Sequence, residues 1–100
     1  MATAPTTPFD AAKYITEPTH VVDLLNDAFS SGHAAYIANA LGVVARSEGM
    51  TAIAAKTGVN RQALYTALSE NGNPTLETLL KVMAALGIKL RCEIDLPKAA

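Results

Sequence analysis

Residues 51–68 read Thr-Ala-Ile-Ala-Ala-Lys-Thr-Gly-Val-Asn-Arg-Gln-Ala-Leu-Tyr-Thr-Ala-Leu, two short helical stretches broken by one tight turn. Thr51 can cap the first helix, because its hydroxyl can accept an orphan backbone N–H. Ala54 is small, as a close helix crossing requires. Gly58 stands where the first helix ends and the chain turns, commonly through positive φ. Val59 plugs the turn into the core. Asn60 can cap the second helix, whose buried positions are then Leu64 and Leu68, with Ala63 or Ala67 beside them. Arg61, Gln62, Tyr65 and Thr66 are left for the outer face. A helix of this kind enters a major groove with its N-terminal side chains leading. The same eighteen residues also suit two amphipathic helices of an ordinary bundle.

One hundred residues make one domain with a modest core. Half of them are apolar and alanine is abundant, which points to closely packed helices. No apolar run reaches the roughly 18 residues that span a bilayer. The first eight residues lack the basic start and apolar run of a signal peptide, and read as a flexible tail. The single cysteine, Cys92, excludes an internal disulfide. A cytoplasmic location is the expectation.

The net charge of −1 does not advertise a nucleic-acid binder, but its distribution is uneven. Residues 1–45 carry Lys13 against Asp10, Glu17, Asp23 and Asp27; residues 46–68 carry Arg46, Lys56 and Arg61 against Glu48. The remainder balances. The positive segment is therefore the one that would touch phosphates. An excess this small predicts few phosphate contacts per subunit and a modest salt slope, so useful affinity requires a homodimer.

Along the chain, Phe9, Tyr14 and Ile15 belong to a short mixed segment that Glu17 and Pro18 break. Thr19 reads as an N-cap. Val21, Val22, Leu24, Leu25, Ala28 and Phe29 give helical periodicity up to Gly32. A second helix spans 34–47, with Ile37, Ala40, Leu41 and Val44 on one face. Gly42 inside it costs about 1 kcal/mol relative to alanine, which a close crossing would explain. Gly49 stops it. A turn cluster at 70–74 follows the central motif. Thr75 caps a fifth helix with Leu76, Leu79, Leu80, Met83 and Leu86 as its apolar stripe, and Gly87 stops it. The period then changes. Ile88, Leu90, Cys92, Ile94 and Leu96 alternate with Lys89, Arg91, Glu93 and Asp95, the pattern of a half-buried strand. A lone strand needs a partner, most simply the same strand of a second copy in antiparallel pairing; the other reading is a tail lying on its own helices. The expected fold class is all-α, five helices with a short C-terminal strand. Residues 1–8 form the tail, 9–87 the helical domain and 88–97 the strand and dimerisation element.

If the second helix of the motif enters DNA, Asn60, Arg61, Gln62, Tyr65 and Thr66 are the base-reading candidates. Arginine pairs bidentately with guanine and glutamine with adenine. Arg61 serves equally well as a phosphate anchor. Thr51, Lys56, Asn71, Asn73 and Thr75 are candidates for backbone contacts, although ordinary turn and cap chemistry accounts for the last three. No catalytic, metal or cofactor site is expected. His20 and His33 lie thirteen residues apart, with no cysteine or carboxylate at ligand spacing. No nucleophile–base pair or phosphate loop is present.

Five helices around such a motif resemble the Xre/Cro-type, lambda-repressor-like fold. The chain from Phe9 to Leu90 resembles more closely the HigA-like antidote proteins of type II toxin–antitoxin modules. The match is carried by Phe-Asp-Ala-Ala-Lys-Tyr-Ile at 9–15, Val-Val-Ala-Arg-Ser-Glu-Gly-Met at 43–50, the run from Gly58 to Leu76, and Leu-Leu-Lys-Val-Met-Ala-Ala-Leu-Gly-Ile at 79–88. The resemblance implies an antitoxin that binds its own double-stranded operator DNA and neutralises a RelE/ParE-like toxin. A ribonuclease toxin must grip RNA with a basic face, so the acidic N-terminal segment is a plausible mate. Phe9, Asp10, Tyr14, Ile15 and Glu17 are the candidates, unless the rings cover this chain's own core. A stand-alone transcriptional regulator and a protein-interaction adaptor on the same fold are the alternatives.

Overall fold

The computed structural model describes residues 17–96 of the 100-residue chain. Five helices follow one another: α1 (Pro18–Ser31), α2 (Ala34–Glu48), α3 (Met50–Thr57), α4 (Arg61–Ala67) and α5 (Leu76–Ala85). The described residues hold no strand, and the arrangement is compatible with a helical helix-turn-helix domain. The expected tail at 1–8 and the segment from Phe9 to Ile15 lie outside the described residues.

Helix α2 is the axis of the core. Ala38, Ala40, Leu41, Gly42, Val43, Val44 and Ala45 are all buried, so it is enclosed over most of its circumference rather than along one stripe. Small residues permit this, because neighbouring backbones can approach closely. At Gly42 the approach is closest: an added Cβ would collide with the carbonyl oxygen of Leu68, at the end of α4. Around α2 the core gathers Leu25 and Ala28 from α1, Met50 and Ile53 from α3, Leu64 and Leu68 at α4, and Val82 and Met83 from α5. Between α1 and α2, the Tyr36 hydroxyl donates to Asp27 Oδ2 at 2.6 Å. That bond to a carboxylate holds the Tyr36 pKa above its ordinary value, with desolvation and the Asp27 charge adding to it.

Two expected caps are replaced. Helix α1 starts at Pro18, with Glu17 at the N-cap and no side-chain cap bond, so Thr19 lies inside the first turn. Proline suits that position, since its fixed φ is helical and its missing N–H has no partner to lose. Helix α3 starts at Met50, not after Thr51. Met50 is buried, and Gly49 makes the sharp entry at φ 110°. Burial of Met50 draws the helix start inward and leaves Thr51 exposed in the first turn.

The stripe of α5 is also corrected. Val82 and Met83 are buried, with Leu79 and Leu86 partly so, while Leu76 and Leu80 are 69% and 49% exposed. The inward set is thus Leu79, Val82, Met83 and Leu86, again at helical spacing, turned toward α3. Beyond α5, Gly87 turns through φ 73° and the Ile88 N–H donates to the Met83 carbonyl at 2.9 Å. Ile88 packs on the core, but residues 89–96 are exposed and form no strand. Over its described part, residues 88–96, the strand expected at 88–97 is therefore not formed within one chain, because no other described segment is extended beside it to share a backbone ladder.

Candidate nucleic-acid interface

The join between α3 and α4 is built from a few local bonds. Gly58 takes the left-handed conformation at φ 75°, and its N–H donates to the Ala54 carbonyl. The Thr57 hydroxyl donates to the Ile53 carbonyl at 2.8 Å and accepts the Val59 N–H at 3.2 Å. Thr57 thus ties the end of α3 to the turn. Nothing in the periodicity singles it out; a threonine just before a helix-stopping glycine was the available signal. Val59 packs partly buried on the core. Asn60 then caps α4, its Oδ1 accepting the Ala63 N–H at 3.1 Å.

Helix α4 divides by face. Leu64 and Leu68 are completely or almost completely buried and fix its underside. Asn60, Arg61, Gln62, Tyr65 and Thr66 are all exposed. The five candidate base-reading residues therefore come together along one short helix, from its cap at Asn60 to its sixth residue, Thr66. The Arg61 guanidinium lies 5.6 Å from the centre of the Tyr65 ring, one turn on. A cation–π contact of this kind limits where the guanidinium points. The Thr66 hydroxyl donates to the Gln62 carbonyl at 3.1 Å, so its donor is engaged within the helix.

The candidates for phosphate contact are less uniform. Lys56 is exposed on α3, and it lines a shallow depression together with Thr57 and Lys81 of α5. Lys81, a cation that the spacing did not single out, forms a 3.2 Å ion pair with Glu77. Asn71 and Asn73 are exposed in the connection from α4 to α5. Thr75 is occupied by the fold: its Oγ1 accepts the Thr78 N–H and donates to Thr78 Oγ1, both at 3.1 Å. Thr51 is exposed near the start of α3. Of the five residues considered for toxin contact, only Glu17 is described, exposed at the start of α1. The other four, Phe9, Asp10, Tyr14 and Ile15, lie outside the described residues.

Among the described residues, no group of three or more histidines, cysteines and carboxylates is arranged to hold a metal ion. No described helix is long and apolar enough to cross a membrane. The chemistry that α4 exposes is that of hydrogen-bond donors, acceptors and a guanidinium on a helix whose underside is buried.

A family model described as "Probable addiction module antidote protein" matches residues 5–94. The chain is also similar to a Haemophilus influenzae Rd protein that carries no functional name. The two are 38% identical over 85 residues, covering 85% of this chain and 88% of that one. No solved structure matches significantly. The matched span contains all five helices, the turn before α4 and the segment after Gly87 as far as residue 94, and the chain belongs to the family of probable addiction module antidote proteins.

Proposed function

We propose that this chain is the antitoxin of a type II toxin–antitoxin module, HigA-like in type. On this reading it binds its operator as a homodimer through a Xre/Cro-type helix-turn-helix, represses its own operon in the cytoplasm, and neutralises a RelE/ParE-like toxin. One observation carries the DNA-binding half. Helix α4 offers Arg61, Gln62, Tyr65 and Thr66 to solvent while Leu64 and Leu68 lock its other side to the core. A reading helix needs both properties, because base contacts demand an accessible face held at a fixed angle.

In this assignment Arg61 takes a guanine edge and Gln62 an adenine edge, with Tyr65 orienting the guanidinium. Asn60 and Thr66 flank them. Thr51, Lys56, Asn71 and Asn73 serve the sugar–phosphate backbone, and Thr75 chiefly secures α5 beside it. Two copies of α4 must meet successive major grooves about 34 Å apart, which is the role of the homodimer. The antidote family supports a toxin partner of some kind. The acidic N-terminal part, with Phe9, Asp10, Tyr14, Ile15 and Glu17, is the surface assigned to it.

The test is titration of the chain's own promoter fragment with wild type and Arg61→Ala. Loss of one bidentate base pair costs about 1–3 kcal/mol, or about 5- to 150-fold in affinity, and relaxes preference at one base pair. An Arg61→Ala protein that binds like wild type removes the assignment. Co-expression with the adjacent reading frame tests the toxin half. Deletion of residues 1–18 is expected to abolish toxin binding and spare operator binding; retained neutralisation refutes the N-terminal surface.

A further inference from the structure

The exposed segment after α5 carries its charges in a definite order: Lys89 and Arg91 first, then Glu93 and Asp95, with Cys92 at the centre. Leu90 and Ile94 stand between these charges, and Ile88 and Leu96 flank them. Leu90, Ile94 and Leu96 are 50%, 80% and 74% exposed, an unusual density of uncovered apolar side chains on one short stretch. Only its beginning is held, by the Ile88 bond to Met83 and by Ile88 packing on the core.

We propose that two copies of the chain pair these segments as antiparallel strands, with Cys92 opposite the partner's Cys92 on the two-fold axis. In that register Lys89 faces the partner's Asp95, and Arg91 faces the partner's Glu93. Each contact occurs twice by symmetry. On the other face Leu90 meets the partner's Ile94, and Ile88 meets the partner's Leu96. Neighbouring registers fail on the same residues. A slide of two in one direction opposes Arg91 to the partner's Arg91; in the other direction it opposes Glu93 to the partner's Glu93. Like charges directly opposed destabilise a strand pair. A slide of one sets charged residues against apolar ones.

The fold supplies a seat for the apolar face. A groove of about 760 Å³ lies between α1, the end of α2 and α5, with residues 88–91 along one side. Val21, Leu25, Phe29, Met83 and Leu86 line it, together with Leu90. The register brings the partner's Ile94 and Leu96 beside Leu90 and Ile88, at the rim of this groove. The two most exposed apolar residues of the segment are thereby removed from water, and the backbone groups of residues 89–96 gain a ladder.

The proposal rests on the homodimer named above and specifies how it is made, so its test reads dimer and register separately. Light scattering on the full chain reports the dimer. Opposed residues of an antiparallel pair have Cα atoms about 4.5 or about 5.5 Å apart, within the span a disulfide bridges, about 4.4–6.8 Å. Cys92 is the sole cysteine, so no variant is needed for cross-linking. Diamide, which takes up the two electrons and two protons released by two thiols, is expected to convert wild type to a disulfide-linked dimer. Leu90→Cys in a Cys92→Ser background faces Ile94 instead, and is expected to cross-link at least tenfold more slowly. Lys89→Glu with Arg91→Glu is expected to give monomer. Adding Glu93→Lys and Asp95→Arg to that protein is expected to restore both dimer and cross-link. A monomeric wild type overturns the pairing. A dimer in which Cys92 cross-links no faster than the displaced cysteine, or one that the fourfold swap fails to restore, overturns the register. Neither readout involves DNA, so loss of operator binding alone bears on the recognition helix and not on this interface.

Discussion

Alanine at position 42 sets two effects against each other within one methyl group. In an isolated helix the change from glycine stabilises by about 1 kcal/mol, because alanine loses less backbone entropy on folding. Here the new Cβ would collide with the Leu68 carbonyl oxygen and lie 3.2 Å from the Leu68 carbonyl carbon. That neighbour is backbone and cannot swing aside like the tip of a side chain. Leu68 is itself 1% exposed, and its N–H donates to the Leu64 carbonyl at 2.9 Å. Relief therefore requires α2 and the end of α4 to separate. Overpacking a core costs about 1–3 kcal/mol, and a backbone collision belongs at the upper end. The propensity gain offsets part of this, leaving a net loss of about 2 kcal/mol. For a domain of this size each kcal/mol moves the melting temperature by about 4–8 °C, so Gly42→Ala is expected to melt about 8–16 °C below wild type. Far-UV circular dichroism of both proteins at one fixed concentration measures it, since melting of an oligomer depends on concentration. A variant that melts at or above wild type refutes the argument, because helix propensity would then have outweighed the contact. The displaced α4 is also expected to weaken operator binding at temperatures where the variant remains folded.

The turn offers a second test. Thr57→Val keeps the shape but removes the acceptor of the Val59 N–H, and is expected to cost about 1 kcal/mol in urea denaturation; an unchanged midpoint would show that the hydroxyl does not secure the turn. The Tyr36–Asp27 bond predicts a pH dependence. Its donor is the neutral phenol, and the folded pKa is raised above the ordinary 10.0. The contribution is therefore complete below about pH 10 and is lost as pH rises through the folded value. The stability difference between wild type and Tyr36→Phe is expected to stay constant near neutrality and to shrink above pH 10. A difference that holds into strong alkali would sink this account, and tyrosinate absorbance of the two proteins dates the ionisation.

The exposed face of α4 was legible because its buried counterpart was. Leu64 and Leu68 stand four apart, and a seven-residue helix that buries both has little choice about where Arg61, Gln62 and Tyr65 go. Asn60 and Thr75 read correctly as caps because a cap bond reaches only three residues along the chain. Gly32, Gly58 and Gly87 read correctly as stops, and each has positive φ. Thr57 was missed because its bonds serve the turn rather than a face. The DNA-reading role proposed for this face rests on the exposed chemistry of α4, whereas the family match speaks only to an antidote role.

What the sequence determined by itself is the punctuation: five helices, where most of them end, and which residues of α4 are apolar. Those are choices made over three or four neighbouring residues by φ preference, capping and period. Tertiary structure decided what each helix faces. It enclosed α2 on nearly all sides and turned α5 so that Val82 is buried while Leu76 and Leu80 are exposed. It began α3 at the buried Met50 instead of behind Thr51, and pressed Gly42 against Leu68. It also left residues 89–96 without a ladder, although their alternation is clear. The physical reason is common to all of these. Periodicity records that a residue suits burial, whereas burial itself requires a surface brought from elsewhere in the chain, or from another chain.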